Sequence, residues 1–525
     1  MASLKEQIVS ARRCSTPLIV VKSPDQAVTI ETLKAAVANG APVPVFVWEC
    51  VRGLTWANDA ALEVAWKTLA NKSMAPLPTR ADELEKFRTE LGNLTVNLTN
   101  TLIAAHKLPD KSLLVIQNMQ WAWDKSVNIQ AAWNLRDAFK ANFRTLVMLT
   151  GMGATIPDGL RDALPLAEEL PTLEALGAIV DEQFEAVGIP TDPKVRTAAI
   201  DAVCGLPGYR AEQSIAISFK KVNSKIVLDT ETAWKRKCDD ISQVRGLSVK
   251  RGGPNFDQVG GNAQIIKFYH DLFGGKNPPR VLVLLDEFEK MLAGVEGGGT
   301  EGSQTKSELI GALLTEMEER NYTGLIKFGV PGASKTHVTQ CAASQFGVPL
   351  ISLSIPDTME KFVGSSNENF RSVMQMIYAV SQGRAFFIGT CNSMVSIGGP
   401  LRRRFCYGAW MFDLPTEEEK LLIWPIHLRG YGLDLKSKRP DDRNWTGAEI
   451  RNCCRTASEF SLSLVDAAQY ISPVAETMSD EIDNMRQLAT RNHFKNAART
   501  GAYQWPQQDA PIPQTSKAKR AIRLD

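Results

Sequence analysis

The sequence predicts an α/β fold built on parallel sheets, and three observations carry that expectation. Short apolar runs recur with helical segments between them: LIVV from Leu18, PVFVW from Pro44, LLVI from Leu113 and TLVMLT from Thr145. A strand buried on both faces of a sheet needs apolar side chains at successive positions, and helical crossovers supply the covering layers. The plan then returns after a Gly/Pro-rich stretch, RGGPNFDQVGG at 251–261, with VLVLL from Val281, LIKF from Leu325, PLISLSI from Pro349 and AFFIGT from Ala385. Finally, ELPTLEAL and DLPTEEEK each follow the last apolar run of their half, and GYRAEQSI is echoed by TGAEIRNC, as an internal duplication would leave them. In the first half a helical stretch is expected through GLPGYRAEQSIAISFKK, ending near Lys221.

Composition narrows the class. At 525 residues, with 44% hydrophobic and 22% charged side chains, the chain is long and apolar enough for several buried cores. A formal net charge of +2 argues against a chain that grips nucleic acid over its whole surface. No apolar run reaches the roughly 18 residues a spanning helix needs. The opening MASLKEQIVSARRC has no apolar signal core, so no membrane partner and a cytoplasmic location are expected. Nine cysteines without a CxxC pair, and five scattered histidines, predict neither a disulfide framework nor a zinc centre.

The chemistry concentrates in GVPGASKT. Gly329, Val330, Pro331, Gly332, Ala333, Ser334, Lys335 and Thr336 have the spacing GxxxxGK[ST], except that Ser334 stands where the glycine before the lysine is expected; His337 follows in the helix. Such a loop wraps backbone N–H groups around phosphates, sends an ammonium to the β/γ oxygens and offers a hydroxyl to Mg²⁺. The structural alternative is a glycine-rich turn that ends in Lys-Thr. An ATP site also needs a strand ending in carboxylates, and that strand lies upstream, where VLVLL runs into Asp286-Glu287. There the competing explanation is a cap on the following helix.

These segments resemble AAA+ ATPases. DEFEKMLAG with the helix TKSELIGALLTEMEE is similar to their Walker B strand and helix, and GVPGASKT to Walker A. KFVGSSNENFR resembles the first pore loop and second helix, IGTCN the sensor 1 strand, PLRRRF the arginine-finger segment, TGAEIRNCCRTA the lid helix and FDQVGG the entering linker. The chain order departs from the family, because Walker B and its helix precede Walker A, and we read this as a permutation of the module. The resemblance implies a sheet in the spatial order fifth, first, fourth, third, second strand. Every motif then sits at the carboxyl edge of its own strand, and parallel crossovers survive the reordering.

By resemblance, ATP and Mg²⁺ are the cofactors. Lys335 and Thr336 bind phosphate and metal, Asp286 positions Mg²⁺, Glu287 is the general base and Asn392 orients water. Arg404 is the first choice for a finger inserted into a neighbouring subunit, with Arg402 and Arg403 as alternatives, so a homo-oligomeric ring, usually of six, is implied. Lys361, Phe362 and Val363 form the candidate pore loop gripping a protein substrate, unless Phe362 packs under its helix. The expected organisation is a degenerate AAA-like domain at 1–235, which lacks the phosphate loop and has Gln117-Asn118 in place of carboxylates. It is followed by a linker at 236–261, a permuted ATPase core at 262–415, a helical lid at 416–498 and a flexible basic tail at 499–525. Two other functions compete with protein remodelling: a nucleic-acid motor or loader, favoured by Lys517, Lys519, Arg520 and Arg523, and an ATP-gated scaffold that hydrolyses little, favoured by Ser334 and the inactive first half.

Overall fold

A computed structural model of the chain describes residues 3–38, 42–69, 77–78, 80–152, 154–243, 246–289, 301–354, 366–393 and 403–505. The candidate pore loop at Lys361, Phe362 and Val363, Arg402 and residues 506–525 of the basic tail lie outside the described residues. The first part of the stretch expected as a flexible tail is packed instead: Tyr503 is buried and donates a hydrogen bond to Asp413, and Ala502 bridges to Lys495. Two compact units are present: Met1–Ile241 with Lys361–Val380, and Ser242–Glu360 with Ser381–Asp525.

The first unit holds six strands, β1 (Leu18–Lys22), β2 (Val45–Glu49), β3 (Gly53–Trp56), β4 (Leu113–Ile116), β5 (Thr145–Thr150) and β6 (Leu164–Ala167), in the spatial order β3-β2-β4-β5-β1-β6. All neighbours pair in parallel except β2 and β3, which form an antiparallel pair. Alternation explains the unbroken apolar runs: Leu18 and Val20 face one core with Phe46, Leu114 and Met148, while Ile19 and Val21 face the other with Val45, Val115 and Val147. Helices Leu173–Val187, Pro193–Val203 and Gly208–Ile217 close a third core around Val180, Phe184, Val203 and Ile215. The last of these helices stops at Ile217. The residues expected to extend it to Lys221 instead enter a hairpin, β7 (Phe219–Val222) with β8 (Lys225–Leu228). Its two central residues, Asn223 and Ser224, both have positive φ, the conformation that a tight hairpin turn requires. The helix Ser366–Ser381 groups with this unit up to Val380, and the Cys204 thiol donates to the Ala379 carbonyl at 3.4 Å.

The second unit adds β9 (Leu247–Lys250), β10 (Val281–Leu285), β11 (Thr323–Gly329), β12 (Leu350–Leu353), β13 (Ala385–Cys391), β14 (Ala409–Phe412) and β15 (Lys495–Asn496). Their spatial order is β15-β14-β11-β13-β10-β12-β9. Counting β11, β12, β10, β13 and β14 as first to fifth gives the same spatial series as β1, β2, β4, β5 and β6 of the other sheet, but β10 comes earliest in the chain. The central pairings are parallel, and β9 pairs antiparallel with β12. The stretch 236–261 therefore contains the end of the helix Thr230–Ser242 and an edge strand of the second sheet. Helices Glu417–Gly430, Gly447–Phe460 and Leu464–Ala468 form a separate core around Trp424, Leu428, Ile450, Cys453 and Cys454. Among the described residues no helix is long and apolar enough to cross a membrane.

Candidate functional site

Strand β11 delivers the glycine-rich loop at its carboxyl end, and the helix Lys335–Gln345 starts directly after it. Two glycines are sterically required. A Cβ on Gly329 would lie 1.9 Å from the Phe412 carbonyl oxygen, and one on Gly332, at φ +81°, would lie 2.8 Å from Thr446 Oγ1. Ser334 also sits in the left-handed region, at φ +66° and ψ +18°. This accounts for the glycine expected there, because a side chain in that region costs about 1 kcal/mol or more.

The acidic strand lies beside this loop. Asp286, directly after β10, accepts a hydrogen bond from Thr336 Oγ1 at 2.9 Å, and the Thr390 hydroxyl donates to the same carboxylate oxygen. Thr390 Oγ1 in turn accepts the Glu287 N–H at 3.1 Å, which anchors Glu287 in a left-handed conformation at φ +50° with its side chain exposed. The loop hydroxyl and the carboxylate are thus brought together although β10 and β11 are not neighbours in the sheet; β13 lies between them.

Lys335 is folded inward and is 9% exposed. Its Nζ donates to the carbonyls of Gly329 at 2.7 Å and Val330 at 2.9 Å, and to Asn392 Oδ1 at 2.8 Å. Burial lowers its pKa to about 8, while Cys391, Glu289 and Asp286 pull it back up. Asn392, directly after β13, donates its backbone N–H and its Nδ2–H to Glu289 Oε1, each at 3.1 Å.

A cleft of about 420 Å³ opens over these groups. Its floor is Asp286, Glu287, Lys335, Thr336 and Asn392, and its far wall is Val259, Gly260, Ile423, Ile426, His427 and Ala448. His427 is held neutral: burial first, then Arg451 and His337, push its pKa down to about 4. His337 Nε2 lies 3.1 Å from the Gln258 carbonyl, so this ring fastens the entering segment to the phosphate-loop helix. The helix Gly447–Phe460 opens on a capping arrangement in which Glu449 Oε2 accepts the Thr446 N–H at 2.5 Å and hydroxyl at 3.0 Å.

Residues 4–168 match the family model of the SpoVK-like AAA ATPase N-terminal domain, and residues 325–383 match that of the ATPase family associated with various cellular activities (AAA). The fold is that of an AAA-family P-loop ATPase. A stretch of 65 residues is also 32% identical to the peroxisomal ATPase PEX1 of Saccharomyces cerevisiae, covering 12% of this chain and 6% of that protein. The AAA match at 325–383 starts inside β11 and takes in the whole phosphate loop, whereas Asp286 and Glu287 lie before it.

In the first unit the helix that follows β1 is capped by a carboxylate. Asp25 caps the helix Gln26–Val37, its Oδ1 accepting the N–H groups of Ala27 at 3.1 Å and Val28 at 3.4 Å. A carboxylate already occupies the position where a helix N-terminus attracts an anion. Gln26 and Asn118 exchange two uncharged hydrogen bonds, at 3.1 and 3.0 Å, next to it.

Of the finger candidates, Arg403 is exposed and Arg404 forms an ion pair with Glu318 of the helix Glu301–Glu319. Phe405 is buried and meets Phe288, the residue between Glu287 and Glu289, at 5.9 Å between ring centroids. Sequence reasoning missed Thr390, Glu289 and the lid-side wall. Thr390 and Glu289 sat inside the quoted motifs IGTCN and DEFE, but nothing in their spacing says what they touch.

Proposed function

We propose that the second unit binds and hydrolyses Mg-ATP as a permuted AAA+ module, that the first unit is its nucleotide-free companion, and that the chain assembles into a ring, six-membered in its simplest form, acting on a protein substrate. The observation that carries this reading is the 2.9 Å hydrogen bond from Thr336 Oγ1 to Asp286 Oδ1, which joins the two halves of a phosphate site encoded in reverse order. The common spatial series of the two sheets supports the permutation.

The groups present suit the ligand. A hydroxyl and a carboxylate are hard oxygen donors of the kind Mg²⁺ takes, and bound Mg²⁺ neutralises charge on the β- and γ-phosphates. Lys335 turns from its own loop's carbonyls toward the phosphate oxygens, and the loop N–H groups wrap the β-phosphate. Val259, Ile423 and Ile426, which line the same cleft, would offer an apolar surface to the adenine ring. Glu287 accepts a proton from the water that attacks the γ-phosphorus; the bond to the bridging oxygen breaks, and ADP leaves with that electron pair. Asn392 holds the water in line, and Arg404 or Arg403 acts on the site of a neighbouring subunit.

Ser334 and the inward fold of Lys335 favour a second reading, an ATP-gated scaffold with slow turnover. Steady-state hydrolysis and nucleotide binding by the wild type, Lys335→Ala and Glu287→Gln separate the two. The ATPase reading expects Glu287→Gln to bind ATP with turnover reduced 100-fold or more, on the scale of general-base loss, and Lys335→Ala to bind weakly. Binding without turnover in the wild type, unchanged in Glu287→Gln, would overturn it in favour of the scaffold.

A further inference from the structure

We infer that Glu289 is a positioning residue that fixes which face of the Asn392 amide is presented to the reacting water; this rests on the ATPase reading above. A primary amide can be placed either way round, with its oxygen or its nitrogen toward a given neighbour, and the hydrogen-bond network decides. Here both ends of the choice are constrained. Glu289 Oε1 accepts both the backbone N–H and the Nδ2–H of Asn392 at 3.1 Å. Protonated Lys335 only donates, and its Nζ lies 2.8 Å from Asn392 Oδ1. The nitrogen must face Glu289 and the oxygen must face the site.

This orientation has a chemical consequence. When Lys335 moves to phosphate, Asn392 Oδ1 is left as a hydrogen-bond acceptor directed into the cleft. An acceptor takes one O–H of the attacking water and directs that water's lone pair at phosphorus. The Nδ2 face, a donor, would instead bind that lone pair and make the water a poorer nucleophile. Glu289 does not line the cleft and reaches it by hydrogen bonds to Asn392, while its charge also raises the Lys335 pKa. Its second oxygen, Oε2, is buried without a hydrogen-bond partner among the described residues. An unsatisfied buried carboxylate oxygen is costly, and its retention here is accounted for by the two hydrogen bonds that Oε1 accepts from Asn392.

The test compares kcat and KM for ATP in the wild type, Glu289→Ala, Glu289→Gln, Asn392→Ala and the double variant Glu289→Ala/Asn392→Ala. Glutamine keeps the accepting oxygen and is the conservative control. Expected is a fall in kcat of roughly 10- to 100-fold in Glu289→Ala, the scale seen when a reacting group is displaced by an ångström, with KM within about twofold. Recovery in Glu289→Gln to within about threefold of wild type, and a double variant no slower than Asn392→Ala, complete the expected pattern. A further fall on adding Glu289→Ala to Asn392→Ala, or no recovery in Glu289→Gln, would overturn the assignment. A wild type without turnover would defeat the ATPase reading instead. The inference is then decided by crystal structures of the variants: the Asn392 side chain must leave Lys335 in Glu289→Ala and keep its place in Glu289→Gln, and an unmoved Asn392 in Glu289→Ala refutes it.

Discussion

Replacing Lys327 by methionine should stabilise the second unit at neutral pH and lose that advantage as the pH rises. Lys327 lies in β11, directly beneath the phosphate loop, with 0% exposure. Its Nζ donates to the Lys335 carbonyl at 3.1 Å and to Thr339 Oγ1 at 2.8 Å, and lies 5.2 Å and 5.6 Å from the ring centroids of Tyr269 and Phe412. No carboxylate is among these partners, and burial pushes the pKa well below 10.5. Burial therefore favours the neutral amine in the folded protein, whereas the unfolded chain keeps its proton up to about pH 10.4. Between those two values the unfolded state binds more protons, so wild-type stability rises with pH by up to about 1.4 kcal/mol per unit. Methionine has no proton to lose and removes that slope. It also removes two hydrogen bonds worth about 1 kcal/mol each, although the Lys335 carbonyl still accepts from Thr339 Oγ1 at 3.3 Å. The proton term outweighs those bonds once the pH is more than about two units below 10.4. Scanning calorimetry of nucleotide-free protein from pH 7 to 9.5 reads the difference, and cysteine ionisation in the unfolded chain cancels between the two proteins. Parallel curves for wild type and Lys327→Met across that range would refute the argument.

Two further outcomes are expected. Ser334→Gly should raise the melting temperature of the second unit, by an amount equivalent to about 1 kcal/mol, because glycine adopts φ +66° without strain; an unchanged or lower midpoint would remove the strain assignment. Affinity for ATP should fall as the pH rises past about 8, the value to which burial lowers Lys335. A free site at pH 9 is mostly deprotonated there, so recharging it weakens binding about tenfold, and titration of a fluorescent ATP analogue should show a flat profile in Lys335→Met.

The sequence exposes what burial on both faces makes repetitive. Leu113–Ile116, Thr145–Thr150 and Val281–Leu285 are strands over the residues their apolar runs mark out, because every position faces a core. β6 alternates between half-buried and exposed positions and contains Pro165, and β7 is largely exposed, so neither produces such a run. β9 and β15 are edge strands whose lysine, serine and asparagine residues pair only because the rest of the sheet is there to receive them. The site divides the same way. Lys335, Thr336, Asp286 and Asn392 announce themselves through motif spacing, and the structure brings them together. Lys327 and Glu289 are named by no motif; one reads as a stray charge in a strand and the other as a third carboxylate, until Lys335 and Asn392 are seen beside them. Arg404 is visible as part of a basic run, but its ion pair with Glu318 depends on a helix distant in the chain.

The order of strands also sets a schedule for biosynthesis. β9, β10 and β11 emerge from the ribosome first, and none of them pairs with another: β9 waits for β12, β10 for β12 and β13, and β11 for β13 and β14. Local pairing gives such a sheet no early foothold, and formation waits for contacts distant in sequence. The wholly apolar β10 and the largely apolar β11 are meanwhile exposed to other chains with open edges, the situation in which nascent proteins aggregate or need a chaperone. In the first unit β2 and β3 pair across a few residues as soon as both are made. A nascent chain stalled just short of Leu350 would therefore carry a first sheet complete in all its strands and, behind it, three strands with no partner in sight.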